Sequence, residues 1–341
     1  MKSPIRLTHH QTDLLSNLQT SLLTPLLKHL QTPLLKHVLT PLLATLLLLT
    51  AGTLTAQYLP PDTTNFQYLR NRVKEQTLYL QSDPNSIEYH LLRGKYKLQL
   101  QDFAGAIEDN NAVLRVDSEN TYAWCNRGMA KAYMKDFRSA LPDLTRSIEL
   151  APSDAIGYLN RAFAESGLEQ YDKAIADLSK AIQLRPDYAK AFVNRAMAKK
   201  LSHRSKEAIL DYNKAIQLVP DYVEAYYDKA MAEDDLKDYR AALADYDKTI
   251  ELNPDLSFAY SSRGMTKLSM GDLPGALADL NKAIELNPGF DVSYNNRGLI
   301  YAAMKNYDAA LHDYDKAVEL GSKEALVNRD ALQSGPHKSS K

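Results

Sequence analysis

A period of 34 residues runs through the chain from residue 87 to residue 324 and limits the folds open to it. A glycine or alanine recurs at that spacing in seven places: Gly94, Gly128, Ala162, Ala196, Ala230, Gly264 and Gly298. Another alanine follows each of these twelve residues later: Ala106, Ala140, Ala174, Ala208, Ala242, Ala276 and Ala310. Periods of roughly 20–50 residues are typical of solenoids, in which each repeated unit buries its apolar face against its neighbours.

The two small residues of each unit allow a pair of short helices to cross closely. An aromatic residue stands four positions before the first small residue and is predicted to fill the wedge between the helices: Trp124, Tyr158, Phe192, Tyr226, Tyr260 and Tyr294, with His90 in the first unit. A proline, which has no N–H to donate, closes five units and ends their second helices: Pro152, Pro186, Pro220, Pro254 and Pro288. Asp187, Asp221 and Asp255 follow three of these prolines, and we expect them to cap the next helix.

This combination of residues resembles the tetratricopeptide repeat family over residues 87–324. The resemblance implies an all-α helical-repeat solenoid, a right-handed superhelix of antiparallel helix pairs whose first helices line a concave groove. Seven repeats are predicted, at residues 87–120, 121–154, 155–188, 189–222, 223–256, 257–290 and 291–324. The fourth departs from the pattern in the turn at residues 203–205, where we expect a looser connection.

The segments that flank the repeats have their own predicted structure. Residues 58–86 are expected to form a linker with a lead-in helix from Thr63 to Gln81. A helix from Lys323 to Gln333 is expected to close the stack, so that residues 325–333 cap the last repeat with polar side chains. Residues 334–341 are expected to be a disordered tail.

Residues 1–57 form a leader that is rich in Leu and Thr and carries four Lys or Arg residues against one Asp. An uncharged stretch at residues 38–55 follows the basic part, and small residues lead to Ala56. A basic region, an apolar run and a small-residue exit are the arrangement of a signal peptide, with cleavage after Ala56. An uncleaved membrane anchor formed by residues 38–55 is one alternative, and a low-complexity tail is another.

Composition and motifs argue against several classes of function. The chain carries 41 basic and 42 acidic residues, whereas a general nucleic-acid binder needs a basic excess to neutralise phosphates. One cysteine, Cys125, permits neither an internal disulfide nor a cysteine-based metal site, and we interpret it as a packing residue rather than a nucleophile. The sequence has no phosphate-binding glycine loop and no metalloprotease or serine-hydrolase motif. We therefore expect no catalytic residue, no metal and no cofactor.

A base stands just before each small residue, and an acid stands sixteen residues beyond that base, in all seven repeats. The pairs are Arg93 and Asp109, Arg127 and Asp143, Arg161 and Asp177, Arg195 and Asp211, Lys229 and Asp245, Arg263 and Asp279, and Arg297 and Asp313. Because every base has a matching acid, we interpret this set, the ion-pair ladder, as structural pairs that bridge helices within a repeat or between neighbours. The alternative is a track of arginines that binds an anion.

In the tetratricopeptide repeat family, which this sequence resembles, the groove is lined by positions 2, 5, 9, 12 and 13 of the first helix. In this chain, position 9 is apolar in six repeats and is Met in four of them. Methionine suits an adaptable binding surface, although it could equally pack against the next repeat. The candidate partner-binding residues are Tyr122, Met129, Phe163, Lys190, Met197, Lys200, Tyr227, Met231, Asp234 and Met265. No lysine occupies position 5, so the carboxylate clamp that some relatives use for chaperone tails is not expected.

Together these features predict a non-catalytic scaffold that binds a protein or peptide partner in the concave groove. The leader predicts an exported protein, periplasmic or secreted, and residues 38–55 would give membrane association if the leader is retained as an anchor. The alternative is a cytosolic co-chaperone or adaptor whose N-terminus is misassigned. No nucleic-acid partner is expected.

Overall fold

A computed structural model describes residues 63–334 of the chain. The predictions for the leader, at residues 1–57, and for residues 335–341 of the tail lie outside this range. Within the described range, none of the helices combines the length and the apolar character that a membrane span requires.

The described residues form sixteen α-helices and contain no strand. The helices are α1 (Thr63–Ser82), α2 (Ile87–Gln99), α3 (Phe103–Val116), α4 (Thr121–Tyr133), α5 (Phe137–Leu150), α6 (Ala155–Gly167), α7 (Tyr171–Leu184), α8 (Ala189–Leu201), α9 (Ser205–Leu218), α10 (Val223–Asp235), α11 (Tyr239–Leu252), α12 (Ser257–Ser269), α13 (Leu273–Leu286), α14 (Asp291–Ala303), α15 (Tyr307–Glu319) and α16 (Lys323–Ser334). Helices α2 to α15 form seven pairs, and each helix from α2 to α15 packs against the one that follows it. The all-α repeat solenoid predicted from the sequence is confirmed.

The two helices of each pair cross at the two small positions, and all fourteen of these residues are buried. At two of these crossings the second helix places a large side chain close to a glycine. A Cβ atom at Gly128 would lie 2.7 Å from the side chain of Leu144, and one at Gly298 would lie 2.6 Å from the ring of Tyr314. A larger residue at either glycine would therefore force the opposing side chain to move.

The arrangement of the pairs gives the stack an inner and an outer face. Each first helix contacts the first helix of the next repeat, from α2 with α4 through to α12 with α14. Within the described residues, successive second helices make no comparable contact. The first helices therefore lie closer together than the second helices and line the inner, concave side of the stack.

The turn after the first helix of every repeat contains a residue with a positive φ angle, again at a spacing of 34 residues: Gln101, Lys135, Glu169, His203, Lys237, Gly271 and Lys305. A residue in the left-handed region cannot continue a right-handed helix, so the chain turns into the second helix. His203 has a φ of 62°, and its turn has three residues between the helices, as in the other repeats. The expected looser connection at residues 203–205 is not found.

The prediction that Asp187, Asp221 and Asp255 cap the following helices is wrong. The N-cap position falls one residue later, on Tyr188 in the case of α8, and no side chain makes a capping hydrogen bond there. A capping oxygen must sit at the N-cap itself to reach the free amides of the first turn. Asp154 does so for α6, and Asp or Asn side chains cap five of the second helices: Asp102, Asp136, Asp238, Asp272 and Asn306.

Helix α1 occupies the place of a second helix from an earlier repeat. It ends at Ser82, 34 residues before the end of α3. Thr77 accepts a hydrogen bond of 3.2 Å from Arg93 of the first repeat, and Tyr79 stacks on Tyr89 with ring centroids 5.0 Å apart. The lead-in helix thus acts as half a repeat that covers one end of the stack.

The ion-pair ladder is present in all seven repeats, with each base and its acid in the same repeat. The closest N–O distances are 2.6–2.7 Å. The guanidinium groups also reach the preceding repeat, since Arg127 donates to Asn111 at 2.6 Å and Arg195 donates to Ser179 at 3.0 Å. The ladder therefore joins the two helices of a repeat, and its arginines also join their repeats to the unit before.

Five ladder arginines also lie over the aromatic ring three residues before them. The guanidinium carbon is 4.5–6.0 Å from the ring centroid in the pairs Arg127–Trp124, Arg161–Tyr158, Arg195–Phe192, Arg263–Tyr260 and Arg297–Tyr294. A cation over a ring face is stabilised by the ring quadrupole. The repeated unit therefore combines an arginine, an aspartate and an aromatic ring.

A double-mutant cycle on Arg297 and Asp313 tests the contribution of the ladder. Each single substitution to Ala leaves the other charge unpaired beside the core, so the two effects should not add. We expect a coupling energy of about 1–3 kcal/mol, measured from amide hydrogen exchange in α14 and α15. The exposed pair Lys316–Glu319 on α15, at 2.9 Å, is the control and should couple by about 0.5 kcal/mol or less. Equal coupling in the two cycles would contradict a structural role for the ladder.

Candidate functional site

Position 9 of the first helices forms a row of side chains on the concave face, which we call the groove stripe: Lys95, Met129, Phe163, Met197, Met231, Met265 and Leu299. None of the seven side chains is buried. Phe163 and Met197, at the middle of the row, are 38% and 40% exposed. Contiguous exposed apolar side chains in a concave surface mark a site of interaction.

Two first helices in the middle of the stack have opposite charge. Helix α8 contains four basic residues and no acidic residue, whereas α10 contains five acidic residues and one basic residue. The inversion falls on groove positions, because Lys190 and Lys200 of α8 correspond to Glu224 and Asp234 of α10. The concave face therefore changes from basic to acidic between the fourth and fifth repeats.

A cavity of about 310 Å³ opens on the acidic side of the groove, between α10, α12 and α14. Four candidate residues line it: Tyr227, Met231, Asp234 and Met265. The ring of Tyr227 meets the ring of Phe258 edge to face, with centroids 4.7 Å apart, and its hydroxyl lies 3.1 Å from Ser262 Oγ. The cavity thus has an aromatic and methionine wall held in place by contacts between successive first helices.

Asp234 is held at the cavity by neutral donors. Tyr246 Oη donates to Asp234 Oδ2 at 3.0 Å, and Thr266 Oγ1 donates to the same oxygen at 2.8 Å. Burial is the main cause that raises the pKa of Asp234, against these hydrogen bonds and the charge of Lys200. Lys199, Lys229 and Lys267 pair with ladder aspartates, and among the described residues no cation lies within ion-pair distance of the Asp234 carboxylate.

Helix α10 carries two further carboxylates that, among the described residues, have no base within ion-pair distance. Asp235 also lines the cavity, is exposed and accepts a hydrogen bond of 3.3 Å from Ser205 Oγ. Asp228 is half-buried, and burial raises its pKa to about 6, although the charge of Lys200 opposes the shift. Helix α10 therefore concentrates negative charge for which the described residues supply little compensation.

The structure brings four of the ten candidate residues together and leaves the others along the groove. Tyr122, Phe163, Lys190, Met197 and Lys200 lie on first helices away from the cavity, and Met129 packs partly into a cluster of buried core residues. Phe258 and Val292 also line the cavity and were not among the predicted residues, although both occupy position 2, as Tyr122 does. Tyr246 was not predicted either, because it lies on a second helix and reaches the groove only through its long side chain.

The residue at position 11 of the first helix also belongs to the ladder in most repeats, which was not predicted from the sequence. In four repeats a lysine at position 11 adds a bond to the ladder aspartate: Lys97, Lys131, Lys199 and Lys267. Glu165 and Glu233 occupy this position in the third and fifth repeats. Burial, followed by the charge of the ladder aspartate, raises the pKa of both glutamates to about 7.

Cys125 packs between the first helices of the second and third repeats. Asn160 Nδ2 donates to its sulfur at 3.1 Å, and burial raises the pKa of the thiol. A thiol with a raised pKa is a poor nucleophile, which agrees with its interpretation as a packing residue. Within residues 63–334, no group of His, Cys, Asp and Glu side chains is arranged to hold a metal ion.

Family models confirm what the repeat geometry indicates. Models described as tetratricopeptide repeat match residues 125–189, 223–256, 259–290 and 292–323. The chain belongs to the tetratricopeptide repeat family. No curated protein matches the chain in sequence.

Solved structures of tetratricopeptide repeat and other proteins share the fold. A tetratricopeptide repeat protein from Parabacteroides merdae is 20% identical, with a TM-score of 0.60 over 73% of this chain and 99% of its own. A chain of the APC/C hetero-tetramer Cut9–Hcn1 is 13% identical, with a TM-score of 0.60 over 77% of this chain and 52% of its own. The human IFIT1 dimer with m7Gppp-AAAA is 15% identical, with a TM-score of 0.57 over 73% of this chain and 65% of its own. These similarities establish the fold alone.

Glu165 makes the stability of the tetratricopeptide repeat array depend on pH. Its pKa is raised from 4.5 to about 7 in the folded chain, so the native state binds this proton more tightly than the unfolded state. The native state is therefore progressively penalised as pH rises from about 4.5 to about 7. Glu165→Gln removes the penalty, and we expect it to stabilise the chain at pH 8 by about 2 kcal/mol more than at pH 5.

Thermal unfolding of the variant and the wild type at both pH values checks this prediction. Glu119→Gln, at an exposed glutamate outside the ladder, is the matched control and should show no such difference. A gain from Glu165→Gln that is the same at pH 5 and pH 8 would contradict the prediction.

Proposed function

We propose that the chain is a non-catalytic scaffold, exported or envelope-associated, that binds an extended or helical peptide segment of a partner protein along its concave groove. The observation that carries this proposal is the groove stripe, whose apolar side chains stay accessible on the inner face of a curved stack. A peptide laid along this face contacts several repeats at once, and the methionines adapt to its side chains.

The charge of the groove supports a protein partner over a nucleic acid. The fold alone leaves the class of ligand open, since proteins with this fold include one solved with m7Gppp-AAAA. A phosphate backbone in the middle of this groove would meet Glu224, Asp234 and Asp235 of α10, and counterion release requires bases there instead. A peptide with side chains of both charges matches the change of sign between α8 and α10.

The leader supports export. Its basic part, uncharged stretch and small residues before Gln57 are the features that a signal peptidase substrate needs. The uncleaved anchor and the cytosolic adaptor with a misassigned N-terminus remain the alternatives to a cleaved signal peptide.

Introducing charge into the groove stripe tests the binding surface. Met197→Glu combined with Met231→Glu places two carboxylates where a partner's apolar side chains would be buried, and desolvating them weakens binding about tenfold or more. Both residues are at least partly exposed, so helicity should not change. Affinity is measured with the partner recovered on the wild-type chain, and helicity by circular dichroism.

Leu210→Glu is the matched control for this experiment. Leu210 is 69% exposed and lies on the second helix α9, away from the concave face, so its substitution should leave binding intact. Loss of binding in Leu210→Glu, with binding retained in the Met197→Glu, Met231→Glu chain, would assign recognition to the outer face.

N-terminal sequencing after cell fractionation tests export. We expect a mature chain that begins at Gln57 outside the cytosol, and Ala56→Leu should block its production because the cleavage site needs a small residue. An intact Met1 in the membrane fraction would support the anchor. An intact Met1 in the cytosolic fraction would contradict export and support the adaptor.

A further inference from the structure

The cavity between α10, α12 and α14 has the components of a site for a cationic side chain. Asp234 and Asp235 lie at one side of it and the rings of Tyr227 and Phe258 at another, and no lysine or arginine of residues 63–334 lines it. A long basic side chain combines an apolar stem with a charged head, so it can pack against rings and methionines while its head meets a carboxylate. The cavity, at about 310 Å³, is at the small end for ligand sites, which suits one side chain better than a whole ligand.

The chain contains its own examples of this combination. In the ladder an arginine lies over an aromatic ring and pairs with an aspartate, as Arg127 does with Trp124 at 4.5 Å and with Asp143 at 2.7 Å. At the cavity the ring and the aspartate are present, but the chain supplies no cation to either among the described residues. The cavity therefore resembles a ladder unit in which a partner would supply the arginine.

The hydrogen bonds and the raised pKa of Asp234 agree with a carboxylate that has no cationic partner among the described residues. Tyr246 and Thr266 orient the carboxylate through neutral hydrogen bonds, and they do not neutralise its charge. Its pKa is raised mainly by burial, whereas the pKa of Asp109, which has two bases and His90 within reach, is lowered. A half-buried carboxylate that lacks a counter-charge is stabilised when a cation binds it.

We propose that the cavity binds an arginine or lysine side chain of an extended peptide segment in the partner, at the carboxylates of Asp234 and Asp235. This inference rests on the proposed function, since it assigns the charge of the peptide that the groove receives. The basic helix α8, with Lys190 and Lys200, lies on one side of the cavity and favours an acidic residue elsewhere in the same segment. The partner segment therefore carries both charges, with its basic residue on the side of α12 and α14.

Fluorescence anisotropy with the full chain tests the assignment. The probes are labelled nonapeptide pools, randomised except for a central residue that is arginine, citrulline or glutamate. Citrulline has nearly the shape of arginine without its charge. We expect the arginine pool to bind about tenfold tighter than the citrulline pool and tighter still than the glutamate pool.

Substitutions at the cavity identify which carboxylate binds the charged residue of the peptide. Asp234→Asn keeps the size of the side chain and should remove the preference for arginine over citrulline, while Asp187→Asn, at an exposed aspartate in a loop between α7 and α8, should preserve it. Circular dichroism shows whether Asp234→Asn folds. If its helical content falls, Asp235→Asn takes its place, because that residue is exposed and its substitution leaves the core intact.

Each of the other outcomes overturns the assignment. Equal affinity for the three pools, lost in the Met197→Glu, Met231→Glu chain, would leave the groove as the binding surface and reject a cation site. Failure of all pools to bind would reject the cation site and the groove together.

Discussion

The close crossing of two helices at a pair of small residues is the contact on which the other features of the chain depend. Gly or Ala occupies both positions in all seven repeats, and every one of these residues is buried. The resulting helix pair cannot enclose a core by itself, so it buries its apolar surface against the next pair. Because the first helices lie closer together than the second helices, the stack is concave on one side, and the groove follows from the same geometry.

Charge in this array is arranged in two different ways. In the ladder, each buried aspartate has a base at 2.6–2.7 Å, and in four repeats a lysine adds a second one. On α10 of the fifth repeat, Asp228 and Asp234 are partly shielded from water with no such base among the described residues. An unpaired, half-buried charge is costly, so the ladder is what folding alone would produce and the groove of α10 is not.

The period of the sequence allowed the fold to be predicted because the features that build it recur. The small residues, the closing prolines and the base–acid pairs each appear at one spacing, and each corresponds to one contact in the structure. Errors arose where a single residue decided the geometry. Asp187 looked like a cap, but the helix began one residue later, at Ala189, with Tyr188 as its N-cap.

The cavity could be predicted only in part for the same reason. Tyr227, Met231 and Met265 follow from their positions on first helices, and Phe258 could have been found from its position as well. Tyr246 could not, since its hydroxyl reaches Asp234 from a second helix across the crossing. Whether a base pairs with Asp234 depends on the side-chain conformations of several neighbouring lysines. The spacing of residues in the sequence does not predict these conformations.

The fifth repeat departs from the others in both the ladder and the groove. Lys229 replaces the arginine of the other repeats, Glu233 replaces the lysine that reinforces four of them, and acids occupy groove positions 2, 12 and 13. Each change adds negative charge or weakens its compensation. The carboxylates of this repeat therefore repel one another, which destabilises the folded stack. A partner that brings a cation binds only the folded array and offsets that repulsion, which stabilises the native state. The residues that recur at every repeat therefore account for the stack, and the acids at groove positions 2, 12 and 13 of α10 fit the cationic side chain that we propose the groove receives.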